Sequence, residues 1–141
     1  MNDIARFIAG FRRFQENHLG EDHELFEQLR HGQRPRTMIV ACADSRVDAT
    51  LLTGTEPGNA FVERNVANLV PPPEPEGGFA SVPAALEFTG LSLKVEHPIV
   101  LGHAQCGGII ALMNEAGSSY NPARNGVAPI LAEAADISRI A

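Results

Sequence analysis

The stretch that most constrains this chain is Thr37-Met38-Ile39-Val40-Ala41-Cys42-Ala43-Asp44-Ser45-Arg46. Its first half is a near-continuous apolar run with β-branched residues, the pattern of a strand buried on both faces. Its second half sets a thiol, a carboxylate and a guanidinium in close succession. A buried parallel strand that ends in reactive groups is where open α/β sheets place their ligand sites. A second stretch, Ile99-Val100-Leu101-Gly102-His103-Ala104-Gln105-Cys106-Gly107-Gly108, repeats the plan. The two strand ends are expected to meet and to share one zinc ion.

The rest of the chain alternates helices with strands. Ile4, Phe7, Ile8, Phe11 and Phe14 predict an amphipathic helix over 3–15, whose stripe packs on the protein's own core or on a partner subunit. A second helix over 21–30 carries Leu25, Phe26 and Leu29, and Pro35 breaks the chain before the first strand. Residues 47–52 read as a short helix and 60–64 as a strand. The proline-rich run over 71–78 is a loop, because neither a helix nor a central strand tolerates that density. Helices are expected over 82–93, with Pro83 in the first turn, from Gly107 to Met113, and over 130–140. Strands near 37–42, 60–64 and 98–102, separated by helices, predict a parallel sheet with right-handed crossovers.

At 141 residues the chain is long enough for one domain with a real core. The net charge of −6 argues against a nucleic-acid surface, which needs a concentrated basic face. Charged residues interrupt the first twenty positions, which excludes a secretory signal there. No apolar run approaches the roughly 18 residues of a membrane helix. A cytoplasmic location is expected. In a reducing compartment the two cysteines, Cys42 and Cys106, are metal ligands, nucleophiles or core residues rather than a disulfide.

Zinc favours four ligands in a tetrahedron, drawn from thiolate, imidazole and carboxylate. Cys42, His103 and Cys106 supply three, and a fourth position then stays free for water, as in a catalytic site. His103 and Cys106 stand three apart at a strand-to-helix turn, so both can face one point. Taken singly, each has a plainer reading. A lone buried cysteine is most often a small hydrophobe. Asp44 and Arg46 alone would be a local ion pair worth little if solvated.

The order Cys42-x-Asp44-x-Arg46, then Arg64-Asn65-Val66-Ala67-Asn68-Leu69-Val70-Pro71-Pro72, then Ala84-Ala85-Leu86-Glu87, then Gly102-His103-x-x-Cys106-Gly107-Gly108 resembles the β-class carbonic anhydrases. The resemblance runs from about Gln33 to Leu112. It implies a three-layer α/β/α fold with a parallel central sheet of strand order 2-1-3. It also implies a single domain over 1–141: an N-terminal helical arm over 1–31 and a zinc-binding core over 33–141 that lacks the family's last strands. The implied activity is reversible hydration of CO2 to bicarbonate and a proton at one zinc per chain, held by Cys42, His103 and Cys106.

By the same resemblance Asp44 and Arg46 are catalytic. Asp44 either orients the attacking oxygen or closes the fourth zinc position. Arg46 decides between the two, because its bidentate fork can hold the carboxylate off the metal. Gln33, Phe61, Val66 and Gly107 are implied as substrate contacts, although plain core packing would explain Phe61 and Val66. Phe88 stands where many plant-type members carry a tyrosine. The implied assembly is a homodimer or a higher even oligomer. Competing readings are a catalytically silent zinc-binding or assembly module, a hydrolase of a CO2 analogue such as carbonyl sulfide, and a metal-free Cys–His nucleophilic enzyme.

Overall fold

Asn2 accepts the Ile4 N–H on its side chain at 3.0 Å and so caps α1, Asp3–His18. A shorter helix, α2, follows over Glu24–Leu29. The computed structural model describes residues 2–19, 24–71 and 81–113. The chain divides into two compact units, Met1–Gln33 and Arg34–Ala141. Within the first unit the rings of Phe14 and Phe26 meet edge to face at 5.5 Å, and Phe11 stacks on Phe14 at 6.4 Å. The expected helix over 3–15 continues to His18. Its apolar stripe does not pack into a core: α1 has no buried residue, and Phe7 is 71% exposed.

The second unit is built on β1, Thr37–Cys42, whose residues Met38 to Cys42 are all buried. β2, Ala60–Asn65, and β3, His97–Leu101, flank it in parallel, giving the order β2-β1-β3. The register sets Cys42 opposite Asn65 and Ala41 opposite Leu101, so the three carboxyl ends come together.

Side chains alternate across β1, and each face meets a different helix. α3, Ala49–Thr53, covers one face, where Ala49 packs with Ile39 and Ala41 against Ala60, Val62 and Leu101. α4, Ser81–Glu87, and a π-helical turn over Phe88–Leu93 serve the other. There Thr89 Oγ1 lies 3.1 Å from Met38 Sδ, Ser81 Oγ lies 2.8 Å from a Glu63 carboxylate oxygen, and Phe61 meets Phe88 at 6.0 Å. Helices on both faces of a parallel sheet make the expected α/β/α arrangement. α5, Gly107–Met113, follows β3.

Several boundaries differ from expectation for local reasons. α3 begins at Ala49 rather than 47, because the Asp48 carboxylate accepts the Leu51 N–H at 2.9 Å and caps the helix. The helix expected over 82–93 is α-helical only from Ser81 to Glu87. Beyond that the Thr89 hydroxyl, 2.8 Å from the Ala85 carbonyl, competes for an acceptor of the helix ladder and the turn widens. β3 sits one residue earlier than 98–102, because the Arg36 carbonyl accepts both the Glu96 and His97 N–H groups and starts the ladder there. β2 runs one residue further, to Asn65. The expected helix over 130–140, and the proline-rich loop beyond Pro71, lie outside the described residues.

Candidate metal centre

Cys42 is the last residue of β1, His103 comes two residues after β3, and Cys106 immediately precedes α5. The parallel register delivers all three to one end of the sheet. Their ligand atoms lie within 4.8 Å of one another, with both cysteines buried. The two sulfurs are 3.8 Å apart and unbonded. Among the described residues no other group of His, Cys, Asp and Glu gathers in this way.

The histidine is oriented for coordination. Its Nδ1 lies 3.1 Å from the Ala104 carbonyl, which can only accept, so Nδ1 carries the proton. Nε2 is then a bare lone pair. It is buried and has no hydrogen-bond partner. A buried nitrogen without a partner costs free energy unless something occupies its lone pair. Two thiols and this imidazole nitrogen are the donor set that zinc takes in a three-ligand site, and they fit zinc.

The thiol of Cys42 is prepared for ionisation. Burial pushes it up, but the Asp44 N–H and the neighbouring Cys106 thiol help to outweigh that, leaving it lowered to about 7. The Asp44 N–H stands 3.4 Å from Cys42 Sγ.

Asp44 and Arg46 form a tight pair beside this cluster. Arg46 donates from Nε to Asp44 Oδ1 at 2.9 Å and from Nη2 to Oδ2 at 2.7 Å, and its backbone N–H also reaches Oδ1 at 2.9 Å. The Arg46 side chain, then its amide, hold the Asp44 carboxyl well below the usual carboxylate range. Nη2 donates further to the Gln105 carbonyl at 3.1 Å, which ties the pair to the turn between His103 and Cys106. With both its oxygens held by Arg46, Asp44 is not among the residues gathered around the candidate metal position.

The remaining expected site residues are placed unevenly. Val66 is exposed rather than part of the core, and Phe61 is partly buried against Phe88. Gly107 opens α5 directly after Cys106. Gln33 is exposed and belongs to the first unit.

Arg64 and Asn65, for which the sequence pattern offers no role of their own, also shape the site. Arg64 donates to the backbone carbonyls of Cys42 at 3.1 Å, of Asp44 at 3.0 Å, and of Val47. Asn65 accepts the Leu69 N–H at 2.7 Å and donates to the Leu69 carbonyl at 3.0 Å, closing a turn in which Ala67 has φ 69°. The available signal was a cation and an amide, Arg64-Asn65, ending an otherwise apolar strand.

A parallel α/β sheet whose carboxyl ends gather two cysteines and a histidine beside an Asp–Arg pair defines a class of metal-binding α/β proteins. Residues 37–139 match the family model for carbonic anhydrase, and the chain belongs to that family, in its β class. It is 41% identical over 110 residues to a carbonic anhydrase of Synechocystis sp., a match covering 78% of this chain and 39% of that protein. It is 46% identical over 108 residues to the chloroplastic β-carbonic anhydrase 5 of Arabidopsis thaliana, covering 77% of this chain and 34% of that one. The solved β-carbonic anhydrase CcaA superposes with a TM-score of 0.75 at 34% identity, covering 92% of this chain and 59% of that one. The chain thus spans about two-fifths or less of the length of these curated relatives.

Proposed function

We propose that this chain catalyses the reversible hydration of CO2 to bicarbonate and a proton, with zinc held by Cys42, His103 and Cys106. The observation that carries this reading is the buried, unpartnered His103 Nε2 grouped with two cysteine sulfurs. Zinc bound there supplies Lewis acidity that brings the ionisation of a water molecule towards the working pH range, though less strongly than with neutral ligands because two thiolates cancel its charge.

The chain's own residues do the rest. Asp44, ionised and fixed by two parallel hydrogen bonds from Arg46, accepts a hydrogen bond from the attacking oxygen and so aims that oxygen's lone pair at the CO2 carbon. Arg46 keeps that carboxylate from closing the fourth metal position. On the family resemblance, Phe61 and Val66 belong to an apolar wall suited to a small neutral substrate; within this chain Phe61 lies opposite Met38, four residues before Cys42. The Gly107 N–H and the Gln33 amide are donors for the developing bicarbonate; for both the support is the family resemblance alone. The two units act as one domain, an N-terminal arm with its catalytic core.

The working form is a homodimer or a higher even oligomer. The exposed aromatic and aliphatic stripe of α1 supports this, since water is a poor neighbour for Ile4, Phe7 and Phe11 together. No described helix is long and apolar enough to cross a membrane. A cytoplasmic location suits two unbonded cysteines kept as ligands.

The test is stopped-flow CO2 hydration by the zinc-loaded 141-residue chain from neutral to alkaline pH, with Cys42→Ser as the blank. Turnover that rises with pH and vanishes in the blank supports the proposal. Bound zinc without turnover of CO2 would overturn it in favour of a zinc-binding module, or of a CO2-analogue hydrolase if carbonyl sulfide is consumed instead.

A further inference from the structure

Two consecutive glycines open α5, and their surroundings differ. A Cβ on Gly107 would meet nothing within 4 Å. A Cβ on Gly108 would stand 2.7 Å from Ala67 Cβ, 2.9 Å from Val66 Cγ1 and 3.2 Å from the Ala67 backbone nitrogen. The first two approaches are closer than carbon atoms pack, so only glycine fits there without movement.

The residue on the far side is itself unusual. Ala67 is wholly buried and adopts the left-handed backbone region, φ 69° and ψ 18°, which an L-residue other than asparagine or aspartate enters at a cost. Asn65 holds it there from both sides through its two bonds to Leu69. The turn follows directly from Asn65, which stands opposite Cys42 in the sheet register and accepts the Ala43 N–H on its carbonyl at 2.8 Å. On the opposite side of the contact, the Cys106 carbonyl accepts the Ile110 N–H at 2.9 Å, so Cys106 is fastened to the first turn of α5. Gly108 therefore sits where the helix that carries one sulfur rests on the turn that braces the other.

We propose that Gly108 is a positioning residue for the metal centre: by giving the left-handed Ala67 room, it seats α5 so that Cys106 and Cys42 present their sulfurs to one ion. It touches neither substrate nor metal. It acts through the contact between Ala67 and the start of α5. This rests on the zinc reading above.

The contact has a built-in reciprocal test, since the methyl group introduced on one side can be removed from the other. The probes are zinc, with affinity read by competition against a chromophoric chelator, and cobalt(II), with the sulfur-to-metal and ligand-field bands read by absorption. The protein is the full 141-residue chain in four forms: wild type, Gly108→Ala, Ala67→Gly, and the pair Ala67→Gly/Gly108→Ala. Gly108→Ala is expected to weaken zinc binding by about 10- to 100-fold, as loss of outer support around a metal site does, and to alter the cobalt bands. Ala67→Gly keeps the amide and suits the left-handed turn, and it is the reference against which the pair is read. The pair recovers most of the lost affinity and the wild-type cobalt spectrum, because Val66 can rotate away from the new methyl.

Wild-type affinity and spectrum in Gly108→Ala would overturn the proposal. So would an unfolding midpoint lowered equally with and without zinc at unchanged affinity, which is the mark of a merely structural glycine. Should Gly108→Ala not fold, the pair decides: a folded pair that binds zinc supports the proposal, and a folded pair that does not overturns it. A wild-type chain that binds neither ion removes the zinc reading itself, and this inference with it.

Discussion

Arg64, on β2, donates from Nε to the backbone carbonyl of Cys42, on β1, at 3.1 Å. The same guanidinium reaches the carbonyls of Asp44 and Val47. One side chain thus spans the segment that carries both a candidate metal ligand, Cys42, and the carboxylate of Asp44. A planar fork spreads its donors widely enough to span three carbonyls along one segment; an ammonium has three donors but gathers them on a single nitrogen.

Arg64→Lys is therefore expected to destabilise the folded chain by about 1.5–3 kcal/mol, the range for losing hydrogen bonds to a charged group. Urea unfolding of the zinc-free protein checks this without interference from metal. A loss below about 0.5 kcal/mol, the level of an ordinary surface change, would show that the three carbonyls are satisfied by other donors.

Arg46→Lys tests the dyad. The change keeps the positive charge but breaks the paired donors that hold both Asp44 oxygens. The expected outcome is a fall of about 100-fold in kcat/KM for CO2 hydration, the scale of a misplaced catalytic group, with zinc content unchanged. Full activity in Arg46→Lys would mean that charge alone suffices. The carboxylate itself should feel the loss. Its ordinary range is restored upward when the fork goes, so the contribution of the Asp44–Arg46 pair, present above the unfolded carboxyl range and lost only in strong acid in the parent, should be lost at higher pH in the variant. Acid unfolding curves of the two proteins compare it directly.

The parts of this arrangement that the sequence announced are the ones written in local patterns. The apolar run ending at Cys42 marks a strand buried on both faces; the run ending at Leu101 marks a parallel strand too, but one left open, with Val100 57% exposed. The His103-x-x-Cys106 spacing falls at the strand-to-helix turn that follows. The widened turn at Thr89 was hidden, because a hydroxyl near a helix carbonyl looks the same in sequence whether or not it displaces the ladder. The Arg64 clamp was hidden because it acts between strands that are distant in the chain. The left-handed Ala67 was hidden most completely: alanine is a good helix former, and only the two Asn65–Leu69 bonds and the missing Cβ of Gly108 explain its conformation. For α1, periodicity found the apolar face but not that it stays unburied.

The Cys42 thiol supplies a pH prediction. Its ionisation in the folded chain is lowered to about 7. The sign follows from which state holds the proton. A group depressed on folding stabilises the fold fully above its unfolded range, and that stabilisation is lost as pH falls through the folded value. In the zinc-free chain, alkylation of Cys42 by iodoacetamide should rise with a midpoint near pH 7 rather than at the ordinary thiol value of about 8.5. Peptide mapping separates it from Cys106. A midpoint at the ordinary value would show that the donors around the sulfur do not outweigh its burial.

Removal of the metal should expose a second consequence of the same geometry. The two sulfurs lie 3.8 Å apart with no bond between them. A disulfide needs them at about 2.05 Å, so closure requires a small movement of the end of β1 and of the turn before α5 rather than unfolding of the sheet. Zinc, once bound, occupies both sulfurs and keeps either from attacking an oxidant. The chelated chain treated with oxidised glutathione is therefore expected to lose both titratable thiols together, while the zinc-loaded chain keeps them. In the exchange the Cys42 thiolate attacks glutathione disulfide, one glutathione leaves as thiol, and Cys106 displaces the second to close the intramolecular bond. Intact mass distinguishes the closed disulfide from a glutathione adduct. A stable mixed disulfide at Cys42, with Cys106 still free, would mean that the turn carrying Cys106 is too firmly seated on Ala67 to bring the sulfurs together.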